Sequence, residues 1–376
     1  TEHSVAFQDD WSLDDGEIAA IAAWQEAGAP LDIDPTTPIT PAVGEFGLAD
    51  YDHESAPATG GYAGVAGQPD EYRCLIYDPE LTTDRHIEAF EFVPDQTEVV
   101  HHAIGYLIPG DRRERALERD GEDGQPGWSC FGSSGLGDDG IFLGWAPGQG
   151  PTELPEGSGM ALAAGDFLVI QVHYHFEIDA PPDLSSLRLR WSDDPDPDEV
   201  VVTDYFAPAE IPCTAAESGP LCDRDAAIAR AVDAYGPEGV FADRITPACG
   251  FTPDDFAGMT DGIASGVCDQ PVGDHGQIIS VLGQEHELGK TFRMTLNPDT
   301  PDEQVLLDID AWDFDWQFNY YPVDEIMVGP GDWIRLECSW DRSLRDPDLE
   351  PAYIVWADGT DDEMCFGTIL IRETSG

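Results

Sequence analysis

From residue 70 onward, short runs rich in Val, Ile, Tyr and Phe alternate with breaks of Pro, Gly and Asp. Apolar runs of this length, interrupted at regular intervals, are typical of β-strands joined by tight turns. The pattern therefore predicts an all-β fold built from antiparallel β-sandwiches. Because the chain has 376 residues, it can bury more than one core, and we expect two domains.

Two segments that break this β pattern predict helices. The segment SLDDGEIAAIAAWQEAGAP predicts a helix that begins near Ser12 and Asp15 and ends at Gly28. Residues 31–68 are rich in Pro, Gly, Ala and Thr without clear periodicity, and they predict a linker. The segment CDRDAAIARAVDAYGPEG predicts a second helix, which ends at Gly236.

The charge of the chain excludes several classes of partner. It carries 76 acidic and 17 basic residues, a net charge of −59, and Lys290 is its only lysine. Such a surface repels phosphate, so we expect no nucleic-acid partner. Repulsion among so many negative charges destabilises a compact fold unless cations screen it. The charge therefore predicts a salt-adapted (halophilic) source, or calcium bound by acidic clusters such as residues 192–199. The alternative for such a cluster is a solvated acidic face without a bound ion. No run of 18 apolar residues occurs, so we expect no membrane span.

The cysteines predict disulfides. The chain has eight cysteines and no CxxC motif, which argues against a zinc ribbon or a thioredoxin-like site. Disulfides form in oxidising compartments, so we expect a secreted or periplasmic protein. Four cysteines lie within one segment, and their sequence leaves three pairings open: Cys213, Cys222, Cys249 and Cys268.

Three histidines inside apolar runs predict a metal site. His101 and His102 lie in EVVHHAIGYLIPG, and His173 lies in FLVIQVHYHFE. Neighbouring strand residues point to opposite faces, so His101 and His102 can share an ion only if the backbone bends or one ring turns back through its nearer nitrogen. Imidazole suits copper, zinc, iron and nickel, so the three residues do not name the metal. The alternative to metal binding is that, of His101 and His102, one is buried and hydrogen-bonded and the other is exposed.

Two further runs favour copper. His286 lies in ISVLGQEHELGKTFRM, and Met364 stands beside Cys365 in YIVWADGTDDEMCFGTILI. A thioether sulfur is a soft ligand that favours Cu(I), and zinc sites rarely use it.

In these motifs the chain resembles the copper type II, ascorbate-dependent monooxygenases, the family of peptidylglycine hydroxylating monooxygenase and dopamine β-hydroxylase. EYRC, VVHHAIGYL, IQVHYH, HELGK and DGTDDEMCFG occur in the family's order between Glu71 and the C-terminus. The resemblance implies two jelly-roll-like sandwich domains, over residues 69–200 and 201–376. We place a helical, cysteine-containing insertion at about 210–270 and the N-terminal helix and linker in residues 1–68.

The resemblance implies two copper ions per chain. One would be held by the histidine trio His101, His102 and His173. The other would be held by His286, Met364 and a histidine two residues before His286. Here that position is Gln284, whose amide oxygen is a harder and weaker ligand for Cu(I) than imidazole.

The resemblance also assigns neighbours of these sites. Tyr72 matches an aromatic position near the trio, with core packing as the alternative, and Gln171 would organise the site and its electron path. His175 is expected to be structural or to lie behind the ligands, and His275 is expected outside both sites. Leu282 stands where peptide-amidating relatives hold an arginine that grips a carboxylate, which disfavours a peptide-glycine substrate.

The family resemblance and the neighbouring residues give further expectations. The implied disulfides join Cys74 to Cys130 and Cys338 to Cys365. The N-terminal helix resembles the closing helix of c-type cytochrome modules that precede this domain in some bacterial relatives, although no CxxCH motif occurs. The acidic neighbours of His286 favour a neutral or cationic substrate, or they are solvated strand residues: Glu285 and Glu287.

The implied activity is hydroxylation of an activated C–H bond with O₂ and an external one-electron reductant, either ascorbate or a cytochrome-type donor. His286, Met364 and Gln284 would hold the copper at which this oxygen chemistry occurs. Two alternatives stay open. One is a copper-binding or electron-transfer protein whose oxygen site is weakened by Gln284, and the other is a calcium-dependent, glycan-binding jelly-roll module.

Overall fold

The computed structural model describes residues 4–8, 13–32, 34, 47–65, 70–137, 140–176 and 180–374. These residues form twenty strands and four α-helices. In chain order, the strands are β1 (His53–Ser55), β2 (Asp70–Tyr77), β3 (Arg85–Val93), β4 (Val100–Ile108), β5 (Trp128–Ser129), β6 (Ile141–Trp145), β7 (Thr152–Glu153), β8 (Ser158–Leu162), β9 (Phe167–His175), β10 (Ser186–Trp191), β11 (Asp198–Phe206), β12 (Glu210–Ile211), β13 (Ile263–Pro271), β14 (Gly276–Gln284), β15 (Gly289–Leu296), β16 (Gln304–Ile309), β17 (Met327–Val328), β18 (Trp333–Asp341), β19 (Ile354–Val355) and β20 (Phe366–Glu373). The α-helices are α1 (Asp15–Glu26), α2 (Arg113–Arg119), α3 (Arg224–Tyr235) and α4 (Ala242–Ala248). The all-β prediction is confirmed.

The first half of the chain packs two sheets face to face. One has the strand order β5-β2-β9-β4-β6, and the other contains β1, β10, β3 and β8. Alternating apolar residues of both sheets meet in one core, as expected when each strand turns every second side chain inward. This core contains Ile87, Phe92, Ile170 and Leu187, all of which are buried.

The second half forms another sandwich. Strands β11, β20, β14 and β17 make one sheet, and β13, β18, β15 and β16 make the other. Its core includes Phe292, Trp340, Ile354 and Ile371. Strands β8 and β11 run parallel and pair through two residues each, so the two halves share a nine-stranded sheet. The predicted boundary at residue 200 falls inside β11.

Part of the predicted linker is instead packed on the first sandwich. Strand β1 pairs with β10, and Leu48 and Tyr62 are buried. Tyr62 exchanges backbone hydrogen bonds with Asp183, which the composition of this Pro- and Gly-rich stretch does not reveal. Positions 33, 35–46 and 66–68 of the predicted linker lie outside the described residues.

The predicted N-terminal helix is confirmed as α1, but its apolar side is exposed to solvent instead of buried. Asp14 caps α1 by accepting N–H bonds from Gly16 and Glu17. Ser12, the other predicted start signal, lies outside the described residues. The apolar side of α1 is exposed, with Ile18 at 53% and Trp24 at 47%. No helix within the described ranges is long and apolar enough to cross a membrane.

The cysteine-containing insertion carries α3 and α4 and closes over the first half. Helix α3 is capped by Asp223 and ends at Gly236, as predicted. Gly132, in a loop of the first half, leaves so little room that a Cβ there would lie 2.2 Å from the carbonyl oxygen of Glu238. The insertion therefore packs directly against the sandwich that carries the histidine trio.

All eight cysteines form disulfides. The two bonds implied by the family resemblance, Cys74–Cys130 and Cys338–Cys365, are confirmed. The four cysteines whose pairing the sequence left open form Cys213–Cys222 and Cys249–Cys268. Four disulfides are consistent with an oxidising compartment.

Candidate metal centres

The first site lies on the five-stranded sheet, where Tyr72, His173 and His102 are paired on three neighbouring strands. Tyr72 of β2 pairs with His173 of β9, which pairs in turn with His102 of β4. The register of β4 shifts between Val100 and His102, so His101 is the extra residue of a β-bulge. This is the backbone bend that two adjacent histidines need if they are to reach one ion.

The three imidazole rings converge. Nδ1 of His102 lies 3.1 Å from Nδ1 of His101 and 3.4 Å from Nδ1 of His173. One ring nitrogen from each residue lies within 4.8 Å of the other two. Because metal–nitrogen bonds are about 2.0–2.1 Å long, nitrogens that share an ion lie roughly 3–4 Å apart. The two pairs that include His102 meet this requirement, and the third lies within 4.8 Å, so the trio is a candidate site for one metal ion. Its imidazole donors suit copper or zinc.

Asp70 fixes the orientation of the His173 ring. His173 Nε2 lies 3.1 Å from Asp70 Oδ1, and His175 Nδ1 lies 2.8 Å from the same oxygen. With its proton on Nε2, the His173 ring directs the Nδ1 lone pair toward the other two rings, the usual way in which a carboxylate orients a ligating histidine. His175 thus contacts the carboxylate behind the trio.

Burial keeps these histidines neutral, which is the form that binds metal. Burial lowers the pKa of His101 to about 3, with the neighbouring His173 adding to the effect. Burial also lowers the pKa of His102 and His173, and Asp70 opposes the change at His173. His286 follows the same pattern, with its pKa lowered to about 4 by burial.

Tyr72 and Gln171 pack around the trio. The Tyr72 ring stacks on His173 with centroids 4.2 Å apart, and its hydroxyl donates to the carbonyl of Asp358 at 2.8 Å. Gln171 donates to the carbonyl of Cys130 at 3.2 Å. Tyr72 therefore combines core packing with direct contact to a candidate ligand.

The second set of predicted ligands comes from two segments: Gln284 ends β14 and His286 follows it, whereas Met364 precedes β20. His286 is buried, and its Nδ1 donates to the carbonyl of Asp362 at 3.1 Å, which leaves Nε2 available as a ligand. Gln284 Nε2 donates to the carbonyl of Glu285 at 3.2 Å, so the amide oxygen of Gln284 is left as its donor to a metal. His286, Gln284 and Met364 line the same cavity.

One buried carboxylate ties the His286 and Met364 segments together. Glu363 accepts N–H bonds from His286 at 2.8 Å, Leu288 at 2.6 Å and Met364 at 3.2 Å, and from the indole of Trp340 at 3.1 Å. Burial raises its pKa to about 8, and these donors oppose the rise. No local pattern marks Glu363 for this role, although it stands in the DEMC motif.

The acidic neighbours of His286 do not face the cavity. Glu285 is fully buried, neither of its carboxylate oxygens has a partner among the described residues, and burial raises its pKa well above the ordinary value. Glu287 is exposed. Neither residue lines the cavity. The substrate preference inferred from these two residues therefore has no support in their positions.

Phe314 joins the two predicted sites. Its ring stacks on His101 with centroids 4.7 Å apart and meets His286 edge-on at 6.2 Å. Trp312, two residues earlier, donates its indole N–H to the carbonyl of His286 at 3.1 Å. Nothing in the sequence pattern of this aromatic-rich loop indicates that it would contact both histidines. Because one phenyl ring contacts a residue of each site, the two sites are neighbours.

A cavity of about 210 Å³ separates the five-stranded sheet from β11, β20 and β14. Its lining includes His102, Gln171 and Tyr72 from the first half and the three predicted second-site ligands from the other half. Most remaining lining residues are apolar or aromatic, among them Ile104, Phe142, Trp145, Phe206, Leu282, Phe366 and Leu370. His275 lies elsewhere, near Thr374, as expected.

The carboxyl groups that line this cavity make stability depend on pH. Burial raises the pKa of Asp204 and of Asp358 from 3.8 to about 7. Each group keeps its proton in the folded state and loses it in the unfolded state, so stability falls as pH rises toward 7. Between pH 8 and pH 5.5, each of these two groups adds on the order of 2 kcal/mol to the free energy of unfolding of the metal-free protein, whereas the buried histidines, which take up protons only on unfolding, oppose this gain.

Urea denaturation at both pH values, in high salt, would measure this effect. On moving from pH 8 to pH 5.5, the Asp204→Asn variant should gain about 2 kcal/mol less stability than the parent, because the contribution of this one group is gone while the histidines are unchanged. Identical pH dependences in the variant and the parent would contradict the assignment.

Comparisons with known proteins name no family. No protein-family model matches the chain, and no curated protein matches it. Among solved structures, an allantoicase is 12% identical with a TM-score of 0.20. The match covers 81% of this chain and 80% of the allantoicase chain. A Paenibacillus xanthan lyase is 10% identical with a TM-score of 0.20. The match covers 82% of this chain and 23% of the lyase chain. At TM-scores this low, neither neighbour carries an argument about fold or function.

Proposed function

We propose that the protein is an exported, copper-dependent monooxygenase that hydroxylates an activated C–H bond. The observation that carries the proposal is the convergence of His101, His102 and His173, because His102 lines the same cavity as His286, Gln284 and Met364. Three imidazoles on one side and an imidazole, an amide and a thioether on the other form two donor sets. Both sets fit copper, and the thioether favours Cu(I).

The overall reaction balances with two electrons and two protons. One oxygen atom of O₂ enters the C–H bond, and the other leaves as water. The electrons come from an external one-electron reductant, ascorbate or a cytochrome-type donor. Copper, when bound, supplies the one-electron redox chemistry and the open positions that O₂ needs.

The protein's own residues hold and shield this chemistry. Asp70 orients His173, and Glu363 holds the segments of His286 and Met364. The apolar walls of the cavity keep bulk water away from a reactive oxidant. Leu282 lines the cavity where a carboxylate-binding arginine would be needed for peptide-glycine substrates, so that substrate class is disfavoured.

A copper-binding electron-transfer protein is the second candidate, and Gln284 favours it. An amide oxygen binds Cu(I) less well than imidazole, which weakens the second donor set relative to the trio. A calcium-dependent lectin-like function has less support. Among the described residues, the cluster suited to a metal is the histidine trio, whereas calcium prefers oxygen ligands.

Anaerobic Cu(I) titration followed by ascorbate and O₂ tests the proposal. We expect two copper ions per chain by elemental analysis and ascorbate-dependent O₂ uptake. Gln284→His should tighten the weaker copper by about tenfold or more, because imidazole replaces a harder donor. His275→Gln is the matched control, since that histidine lies outside both sites.

The two candidate functions give different results. One tightly bound copper without O₂ uptake would support electron transfer and overturn the monooxygenase proposal. Calcium-dependent stability without copper binding would overturn both.

A further inference from the structure

Arginines are concentrated at helix α2 of this strongly acidic chain. Four of its 17 basic residues lie between positions 112 and 119. Arg115 and Arg119 donate to the carbonyl oxygens of residues 134–136 at 2.8–3.4 Å. Neither forms an ion pair with a carboxylate among the described residues. Because a guanidinium has five N–H donors, both side chains keep donors and positive charge available for a ligand.

Both arginines line a pocket between α2 and the segment that follows α3. Its volume is about 400 Å³, and small-molecule sites typically enclose about 300–1,000 Å³. Ser129 and Ser133 add hydroxyl groups to the lining. Glu238 is the one carboxylate among the described residues that line it, so two positive charges meet one negative charge. The pocket therefore suits a small, hydroxylated anion.

A series of aromatic rings connects this pocket with the histidine trio. Tyr235 and Phe131 line the pocket, and their ring centroids lie 5.2 Å apart. The Phe131 ring lies 5.2 Å from that of Tyr72, which stacks on His173 at 4.2 Å. Rings at these separations are in direct contact. Phe131 and Tyr72 therefore form a continuous π pathway from the pocket to a candidate metal ligand.

This pathway favours a ligand that gives up electrons. The two outer rings are half-buried and form part of the pocket wall, so a ligand in the pocket touches them. An enediol such as ascorbate is an anion at neutral pH and loses electrons singly. The net charge of −59 repels such an anion at long range, so its uptake depends on a local positive charge. Arg115 and Arg119 supply that charge at the outer end of the ring series.

We propose that this pocket binds an anionic enediol reductant and that its electron passes through Phe131 and Tyr72 to the metal site at the trio. Each bound reductant loses one electron and one proton and leaves as its radical, and the proton passes to solvent. The electron reduces Cu(II) at the trio to Cu(I), so two such events supply one turnover. This electron delivery rests on the proposed monooxygenase function, whereas binding of the anion does not depend on copper.

Anaerobic calorimetry on the metal-free, full-length protein tests the pocket. The probes are ascorbate and ribonolactone, a neutral hydroxylated lactone of the same ring size. The salt concentration is the lowest that keeps the protein folded, because salt screens the attraction. We expect ascorbate to bind about tenfold or more tightly than the lactone. Arg115→Gln and Arg119→Gln should each weaken ascorbate binding by about tenfold, with thermal unfolding used to confirm that both variants fold.

Arg112→Gln is the matched control. Arg112 is exposed on the same segment, lies 3.5 Å from Asp111 and does not line the pocket. This variant removes the same charge from the same region. It should keep the affinity for ascorbate within about twofold of the parent, because a charge outside the pocket acts only through screened solvent.

Phe131→Leu tests the pathway, because leucine retains an apolar side chain without a π system. Reduction of the copper-loaded protein by saturating ascorbate is followed anaerobically by stopped flow, as loss of the Cu(II) signal. We expect slower reduction than in the parent. Phe251→Leu is the control, since Phe251 contacts Phe256 elsewhere in the insertion and does not line the pocket. It should be reduced at the rate of the parent.

The outcomes separate this inference from the proposed function. Equal binding of ascorbate and lactone, or an equal loss in Arg112→Gln and Arg115→Gln, would overturn the anion pocket, as would reduction by a cytochrome-type donor alone. An unchanged rate in Phe131→Leu would overturn the pathway. Ascorbate binding that requires Arg115, without copper-dependent O₂ uptake, would support the pocket and overturn the monooxygenase. Ascorbate-driven O₂ uptake that neither Arg115→Gln nor Phe131→Leu affects would do the reverse.

Discussion

A Met364→Ala variant is expected to bind one tight copper per chain instead of two and to lose ascorbate-dependent O₂ uptake. Met364 supplies the thioether of the proposed second donor set, and it lines the same cavity as His286 and Gln284. With Gln284 as a weak donor, loss of the sulfur leaves one imidazole to hold the ion. Because substitutions even behind a ligand cost ten- to a hundredfold in affinity, the loss here should be about a hundredfold or more.

The histidine trio should be unaffected by this substitution. Met364 belongs to the second sandwich, whereas the trio is built on β4 and β9 of the first. The Cu(II) spectrum of the trio, measured by electron paramagnetic resonance, should therefore match that of the parent.

Met327→Ala is the control for loss of a methionine. Met327 is 45% exposed at the end of the sheet that contains β14, and it does not line the cavity. It should keep both copper ions and full O₂ uptake. If Met364→Ala hydroxylates as fast as the parent, the assignment of the oxygen site to this methionine is wrong.

The fold was predictable because its signals are local. Short β-branched and aromatic runs separated by Pro, Gly and Asp indicate strands whatever their partners are. The helix ending at Gly236 follows from capping and periodicity alone. The pairing of Cys213, Cys222, Cys249 and Cys268 was not predictable, because it depends on how the insertion folds back on itself.

Strand order and the shared sheet depend on long-range contacts. The parallel pairing of β8 with β11 joins residues about forty positions apart in sequence through only two residues on each strand. Two residues carry too little pattern to reveal a partner. Likewise, Tyr62 is buried by contacts with Asp183, which composition does not show.

The candidate ligands could be predicted from the sequence, whereas the residues that hold them could not. Adjacent histidines in an apolar run signal a bulge and a site, and the structure places a bulge at His101. Asp70, Phe314 and Glu363 are ordinary residue types at positions where no local pattern marks them. Their roles come from hydrogen bonds and ring contacts between distant segments, such as the one between Asp70 and His173.

Replacing Glu363 with Gln should weaken both the fold and the second site. The carboxylate is fully buried and accepts three backbone N–H groups and the Trp340 indole. Above pH 8 the side chain of Glu363 is ionised and both of its oxygens accept. A glutamine side chain keeps the volume, but its NH₂ group would face donors instead of accepting from them, so the comparison is made at pH 9. Each donor left unpaired costs about 1–3 kcal/mol, so we expect the free energy of unfolding to fall by roughly 2–5 kcal/mol.

The same change should loosen the second metal site selectively. Glu363 holds the backbones of His286 and Met364 in place, so their donors lose a common anchor. We expect copper affinity at that site to fall by about ten- to a hundredfold, with the trio unchanged. Both affinities would be measured by competition with a Cu(I) chelator, well below the unfolding temperature.

Asp183→Asn separates this positioning effect from general destabilisation. Asp183 is a buried carboxylate of the first sandwich that accepts the hydroxyls of Tyr174 at 2.9 Å and Ser185 at 2.8 Å. Its substitution should lower stability by a similar amount while leaving the second site intact, because no ligand of that site hydrogen-bonds to it. An equal loss of second-site affinity in both variants would mean that Glu363 acts through overall stability. Unchanged affinity in Glu363→Gln would mean that the Cys338–Cys365 disulfide and the surrounding core hold Met364 beside His286 without the carboxylate.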